Sequence, residues 1–165
     1  MLIINSLVFI PRLIIQSHYM NSNYGFGRRV ERLVAATLAI FGWSCVLSPG
    51  SRGPIDIFST RSRIRWCHQV KYRDSTFSLD CINGDLTRIM RHSSLHNCTP
   101  ILAFVSSIIP TYSMGGMKSD ANFSNVIRYN DGSMYGIKMG TLLLQLYDLE
   151  HYVMLDPLRK VNGAN

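Results

Sequence analysis

Residues 55–73 read IDIFSTRSRIRWCHQVKYR and predict two neighbouring β-strands joined by a short polar turn. Residues 55–59 form one apolar run, and residues 64–73 form a second run in which side-chain character alternates. Asp56 places a charge inside the first run. A carboxylate there costs free energy unless it is paired or bound to a metal ion.

The second run presents two different faces. Gln69 and Lys71 project side by side from one face, because alternate residues of a strand point the same way. A lysine beside an amide on a buried strand is not what core packing selects, although a solvated face would carry the same residues. His68 lies on the opposite face, where we expect it to be packed rather than to bind metal. The side chains of that face are Ile64, Trp66, His68, Val70 and Tyr72.

A helix and a strand precede this pair. Apolar residues recur at helical spacing through residues 28–41, and Gly42 ends the run. Glu31 lies about 90° from the centre of the apolar stripe, at the margin of the buried face. A carboxylate at this position can point toward the edge of a sheet, or it can be an ordinary residue at the boundary between core and solvent. Residues 43–48 then predict a strand. Residues 49–54 are rich in proline and glycine, which predicts a turn.

A second helix and a fourth strand follow. The apolar stripe of residues 79–90 predicts the helix, and residues 99–105 predict the strand. The order helix, three strands, helix, strand indicates an α/β protein. His92, His96 and Cys98 could be drawn as a metal cluster, but a loop after the helix explains them better because no fourth ligand is evident.

The composition narrows the class of protein. The chain has 165 residues, room for one domain, and 47% of them are apolar, which excludes a disordered chain, a collagen-like chain and a coiled coil. The formal charge is +7, and residues 1–92 hold 12 Lys/Arg against 5 Asp/Glu. This basic excess favours nucleic acid as a partner, although a solvated basic surface has the same composition. Four cysteines without CxxC spacing argue against a zinc ribbon and predict a reducing, cytoplasmic compartment.

The polar residues of these elements can form a site for a hard divalent cation. Such ions take several oxygen ligands, which Asp56, Gln69 and Glu31 can supply. Lys71 would sit at the same site, where it can orient or help deprotonate an attacking water and stabilise charge on a phosphate. Glycines around Ser51 would let the backbone pass close to that phosphate.

Five motifs together resemble the PD-(D/E)xK nucleases, and within them the archaeal Holliday-junction resolvases. They are Gly27-xxx-Glu31-Arg32, Gly42-Trp43, Gly50-Ser51, Asp56 and Gln69-Val70-Lys71, within residues 25–105. The resemblance implies a restriction-endonuclease-like fold, a mixed central sheet flanked by helices with an αβββαβ core. It also implies Mg²⁺-dependent cleavage of DNA, with Mn²⁺ as a possible substitute, and a homodimer. The implied catalytic residues are Glu31, Asp56, Gln69, Lys71 and Ser51, and the arginines expected to contact DNA are Arg28, Arg29, Arg32, Arg52 and Arg73.

Gln69 departs from the resolvase pattern, which has glutamate at this position. The loss of one negative charge should weaken Mg²⁺ binding. Because Q-x-K occurs in Mrr-like restriction nucleases, an Mrr-like or mobile-element nuclease acting on duplex DNA is the first alternative. A non-catalytic DNA-binding module with a degraded metal site is the second.

The two ends of the chain are less informative. Residues 1–22 are an apolar extension that fits neither a membrane span nor a signal peptide, and Met20 is a candidate natural start. We expect residues 23–165 to form one nuclease domain with no membrane association. In its last part, residues 106–125 predict a loop, residues 126–135 a hairpin with an Asp-Gly turn, and residues 141–152 a leucine-rich helix.

Overall fold

The structure, a computed structural model, describes residues 23–50, 53–107 and 116–158. The chain there alternates between helices and strands before it ends in a run of strands. The helices are α1 (Asn23–Ile40) and α2 (Leu86–His96), with a 3₁₀ helix at Leu79–Ile82. The strands are β1 (Ser44–Leu47), β2 (Ile57–Arg61), β3 (Ile64–Arg73), β4 (Thr99–Ser106), β5 (Met117–Ser119), β6 (Val126–Tyr129), β7 (Met134–Met139), β8 (Leu142–Asp148) and β9 (Val153–Met154).

All nine of these strands belong to one mixed sheet. Its order is β1-β2-β3-β4-β8-β7-β6-β5, and β9 pairs with β8. Strands β1 to β3 are antiparallel, β3 and β4 are parallel, and the remaining pairs are antiparallel. The predicted α/β fold, a mixed central sheet flanked by helices with an αβββαβ core, is therefore confirmed.

The two α-helices cover opposite faces of the sheet. Val34 and Leu38 of α1 are fully buried in a core that includes Ile101 and Val105 of β4. Ile89 of α2 is fully buried in a second core with the alternate residues of β4, Leu102 and Phe104. Because β4 is buried on both faces, it reads as a continuous apolar run.

The elements that carry the site lie close to their predicted positions. Strand β3 has the predicted bounds, and α1 begins earlier than predicted, at Asn23. Strand β2 begins at Ile57, so Asp56 lies immediately before the strand rather than within it. Asp56 is nevertheless buried, with 8% of its surface exposed. The pairing with β3 already begins there, since the backbone N–H of Asp56 donates to the carbonyl of His68 at 2.8 Å.

The second helix differs from its prediction. The single predicted helix over residues 79–90 is divided into a 3₁₀ helix and α2, and residues 83–85 form a turn that contains Gly84. Helix α2 then continues to His96, so His92 and His96 lie within the helix. Their assignment to a loop was wrong. The helix ends at Asn97, which has a left-handed backbone.

The last part of the chain differs most from its predicted secondary structure. Residues 141–152 were expected to be a helix, but Leu142–Asp148 is strand β8, between β4 and β7. The consecutive leucines were interpreted as a helix with apolar residues on more than one face. A strand that is buried on both faces has the same continuous apolar sequence, and β8 is such a strand. Met117–Ser119 is a strand within the predicted loop, and the predicted hairpin is confirmed as β6 and β7.

Three further expectations concern the chain as a whole. All four cysteines are free thiols. None of the helices within the described ranges is long and apolar enough to cross a membrane. The apolar extension at residues 1–22 lies outside the described residues.

Candidate active site

One pocket brings together the acidic, amide and amine side chains that the sequence singled out. Glu31 comes from α1, Asp56 from the start of β2, and Gln69 and Lys71 from β3. The pocket has a volume of about 270 Å³. Its lining residues are Glu31, Gly53, Pro54, Asp56, Gln69, Val70, Lys71, Asp85 and Arg88.

Asp56 and Gln69 are in direct contact within the pocket. Oδ2 of Asp56 accepts a hydrogen bond of 2.7 Å from Nε2 of Gln69 and another of 2.7 Å from the backbone N–H of Val70. Both side chains are 8% exposed. The antiparallel pairing of β2 with β3 sets this contact, since Ile57 lies opposite His68. The amide oxygen of Gln69 is left as a free acceptor beside the carboxylate.

The environment of Asp56 disfavours its charged form. Burial raises the pKa of this carboxyl from 3.8 to about 6, and the negative charge of Glu31 adds to the rise. The N–H of Val70 and the charges of Lys71 and Arg28 oppose it. A bound cation would remove the penalty, because it would compensate both carboxylates at once.

Glu31 reaches the pocket from the margin of its helix. Its side chain is 12% exposed, and its Oε2 lies 2.7 Å from Nη1 of Arg28. The predicted position at the border of the buried stripe is therefore confirmed. Arg28, one of the arginines expected to contact DNA, is half-buried in this ion pair, because the carboxylate one turn later attracts it.

Lys71 has a partner that the sequence analysis missed. Its Nζ lies 3.1 Å from Oδ2 of Asp85, and the other oxygen of Asp85 lies 3.6 Å from Nη1 of Arg88. Asp85 occupies the N-cap position of α2. An aspartate before an apolar helical stripe is a recognised start signal, which would have flagged the residue but not its approach to Lys71.

Arg29, Arg32 and Arg73 do not line this pocket. Arg29 and Arg32 are exposed on α1. Arg73 is exposed at the end of β3, where its guanidinium donates to the carbonyl of Tyr72 at 2.7 Å. Ser51 and Arg52 lie outside the described residues.

Three side chains in the pocket could together hold a hard divalent cation. Glu31 and Asp56 offer carboxylate oxygens and Gln69 offers an amide oxygen, a donor set that suits Mg²⁺ or Mn²⁺ rather than zinc. Asp56 and Gln69 already lie within contact distance, as neighbouring ligands of one ion must. The pocket is also open to solvent, since Lys71 and Asp85 keep 21% and 35% of their side chains exposed.

A second group of potential ligands lies elsewhere and has a structural explanation. Ligand atoms of Asp148, Glu150 and His151 all lie within 4.8 Å of one another. Asp148 accepts hydrogen bonds from the backbone N–H groups of both other residues, at 2.8 and 3.1 Å. The imidazole of His151 then closes on the same carboxylate at 2.8 Å. The cluster is an Asp-stabilised turn after β8.

Comparison with known proteins adds a weak structural likeness. The structure is similar to that of Hjc, a Holliday junction resolvase from the archaeal hyperthermophile Archaeoglobus fulgidus, with a TM-score of 0.40 and 21% sequence identity. The match covers 48% of this chain and 63% of that one, less than two thirds of the resolvase. A likeness of this size carries no argument about activity. No protein-family model and no curated protein matches the sequence.

Proposed function

We propose that this protein is a divalent-metal-dependent endonuclease that hydrolyses phosphodiester bonds in DNA. The observation that carries the proposal is the convergence of Glu31, Asp56, Gln69 and Lys71 on one pocket. These residues come from a helix and two strands, and packing alone gives no reason for two acids, an amide and an amine to meet there. Together they supply oxygen ligands for a metal ion and an ammonium group, the groups that metal-dependent phosphodiester hydrolysis can use.

Each side chain has a distinct role in this proposal. Glu31, Asp56 and Gln69 hold the cation, which when bound supplies Lewis-acid stabilisation of the phosphate charge. Lys71 orients the attacking water and stabilises the negative charge that develops on the phosphate oxygens. Asp85 positions the Lys71 amine through its 3.1 Å ion pair. Ser51 is proposed to lie near the scissile phosphate.

The basic residues around the pocket support DNA as the substrate. Arg29 and Arg32 are exposed on α1, next to Glu31 in sequence, and Arg88 lines the pocket itself. Guanidinium groups make bidentate contacts to phosphates, so Arg88 would hold a phosphate at the pocket, and Arg29 and Arg32 would contact the DNA along α1. Arg52 and Arg73 are proposed to extend this contact surface.

A nicking assay on supercoiled plasmid tests the activity. The wild-type protein is expected to nick DNA with Mg²⁺ or Mn²⁺ and not with a chelator. Asp56→Ala and Lys71→Ala are expected to abolish nicking, whereas Asp80→Ala, which removes an exposed carboxylate outside the pocket, should leave it unchanged. Full nicking by Asp56→Ala would overturn the proposal.

The form of the DNA substrate needs a separate comparison. A Holliday-junction-resolving activity is the first proposal, because the sequence motifs follow the resolvase order. Gln69 specifically favours the alternative of an Mrr-like or mobile-element nuclease that cuts duplex DNA. Cleavage of a four-way junction at rates well above those of a linear duplex of the same sequence supports the resolvase, and equal rates support the alternative. DNA binding without any cleavage indicates the non-catalytic module.

A junction-resolving enzyme would act as a symmetric dimer, since a four-way junction presents two symmetry-related strands for cleavage. We therefore propose a homodimer. Light scattering at micromolar concentration should give twice the mass of 18.7 kDa. A monomeric mass in the presence of a bound junction would contradict the dimer.

A further inference from the structure

A second pocket opens on the sheet face that carries Lys71. Its volume is about 240 Å³, and four aromatic side chains line it together with a few polar groups. This is smaller than the roughly 300–1,000 Å³ of sites that enclose a drug-sized ligand. The residues that matter for its chemistry are Phe77, Tyr129, Tyr135, Tyr147, Ser106 and Gln145.

The strand register fixes where this pocket lies. Lys71 pairs with Phe104 of β4, and Phe104 pairs with Gln145 of β8, so the three side chains form a row across one face. Two strand spacings separate Lys71 from Gln145, which is about 10 Å. Phe77, which lines the pocket, packs edge-on against Phe104, with ring centroids 5.3 Å apart.

Two aromatic pairs form the walls of this pocket, and one of their rings faces solvent. Phe77 and Tyr147 are already stacked, with centroids 3.6 Å apart and an interplanar angle of 15°. Tyr129 and Tyr135 form an edge-to-face pair at 5.3 Å. Tyr129 is 40% exposed, a high value for a large aromatic side chain, so its ring is accessible from solvent.

A buried amide completes the pocket. Gln145 is 6% exposed, and its Nε2 donates to the carbonyl of Tyr135 at 3.0 Å. This bond orients the amide and leaves its oxygen to accept a hydrogen bond from a ligand. A flat ring with an exocyclic amino group could stack on an aromatic wall and donate a hydrogen bond to this oxygen. In a nucleic acid, the group with this chemistry is the nucleobase.

We propose that this aromatic pocket binds one unpaired nucleobase of the DNA strand whose phosphate lies at Lys71. The inference rests on the proposed nuclease function and narrows its substrate to DNA with an unpaired base near the cut, as at a branch, bulge or single-stranded gap. A fully paired base cannot enter, because it is stacked inside the duplex.

Binding measured by fluorescence anisotropy in a chelator tests the pocket without requiring cleavage. The probes are a labelled 20-nucleotide single strand and the fully paired duplex of the same sequence. Tyr129→Ala is expected to weaken single-strand binding by about 5- to 150-fold, the usual effect of losing one base–aromatic stack. Duplex binding should not change.

Two further variants keep the result interpretable. Tyr147→Leu removes the partner of Phe77 and should weaken single-strand binding in the same way. Tyr152→Asn alters a tyrosine that is 61% exposed outside the pocket, at a positive φ that asparagine tolerates, and should have no effect. Because a tyrosine neutralises no phosphate, the salt dependence of binding should be the same in all four proteins.

The outcomes separate the two proposals. Selective loss of single-strand binding in both pocket variants supports the aromatic pocket as a base site. Unchanged binding, or equal loss for single strand and duplex in folded variants, overturns it and leaves the nuclease proposal intact. A wild-type protein that binds neither probe but binds a four-way junction overturns the base site and leaves the nuclease proposal intact. Binding to none of the three DNA forms overturns the DNA-based function itself, and the base site with it.

Discussion

The amine of Lys71 lies 3.1 Å from the carboxylate of Asp85, so the proposed catalytic lysine is held by the residue that precedes α2. The contact joins β3 to the start of a helix that packs over the same face of the sheet. The ion pair therefore orients the Lys71 amine toward Asp85 before any substrate arrives.

Asp85→Asn is expected to reduce kcat by about 10- to 100-fold while KM for DNA changes little. The amide holds the amine less firmly, and a small displacement of a catalytic group has effects of this size. Asp85→Glu should restore most of the rate, because it restores the charge. Steady-state nicking kinetics measure both constants, and Asp80→Asn is the matched control on an exposed neighbouring carboxylate. A change in KM alone would show that Asp85 contributes to DNA binding instead.

Gln69→Glu is expected to change metal affinity and apo stability in opposite directions. The new carboxylate would lie 2.7 Å from that of Asp56, so the metal-free protein should melt at a lower temperature. With Mg²⁺ or Mn²⁺ the same charge becomes a better ligand, which should raise affinity and retain cleavage. Thermal melting with and without metal, together with calorimetric titration, measures both effects. Unchanged metal affinity would place the ion away from Gln69.

Asp56 should make metal binding depend on pH. Its pKa is raised by burial to about 6 in the folded protein, against 3.8 in the unfolded chain, so protons compete with the cation below pH 6. Metal affinity measured by calorimetry should therefore fall as the pH is lowered from 7 to 5. Affinity that stays constant over this range would show that Asp56 is not a ligand.

The same raised pKa predicts a stability effect in the metal-free protein. The folded state binds the Asp56 proton more tightly than the unfolded state, so this group lowers stability as the pH rises from 3.8 to 6. Asp56→Asn should be more stable than wild type at pH 7, on the order of 1 kcal/mol or more, and equal to it near pH 3. Denaturant unfolding at the two pH values provides the measurement.

His68 should have the opposite dependence on pH. It is fully buried, its Nε2 lies 2.7 Å from Oγ of Ser59, and burial lowers its pKa to about 3. In the unfolded chain this imidazole has a pKa of 6.5, so the unfolded state takes up a proton that the folded state does not. The free energy of unfolding therefore decreases as the pH falls from 6.5 toward 3. His68→Gln should lose less stability than wild type between pH 7 and pH 4, as followed by denaturant unfolding. An unchanged difference between the two pH values would show that His68 titrates normally.

Local pattern determined much of the first half of this chain. Three local patterns each indicate an element from neighbouring residues alone. They are the side-chain alternation in residues 64–73, the apolar helical stripe after residue 28 and the turn-forming residues around Gly50. Their order was therefore predicted correctly, and so was the position of Gln69 beside Lys71 on one face. Side-chain alternation is a local property of a strand, which is why the sequence was sufficient.

Only the tertiary structure decided the second half and the contacts of the site. Leu142–Asp148 is a strand because β4 and β7 pair with its two edges and both of its faces are buried, and nothing in its own leucines reveals those neighbours. The approach of Asp85 to Lys71, and of Phe77 to Tyr147, likewise joins residues from separate elements. Hydrophobic periodicity states which side of an element is buried, whereas the partner it meets depends on how the whole sheet is assembled.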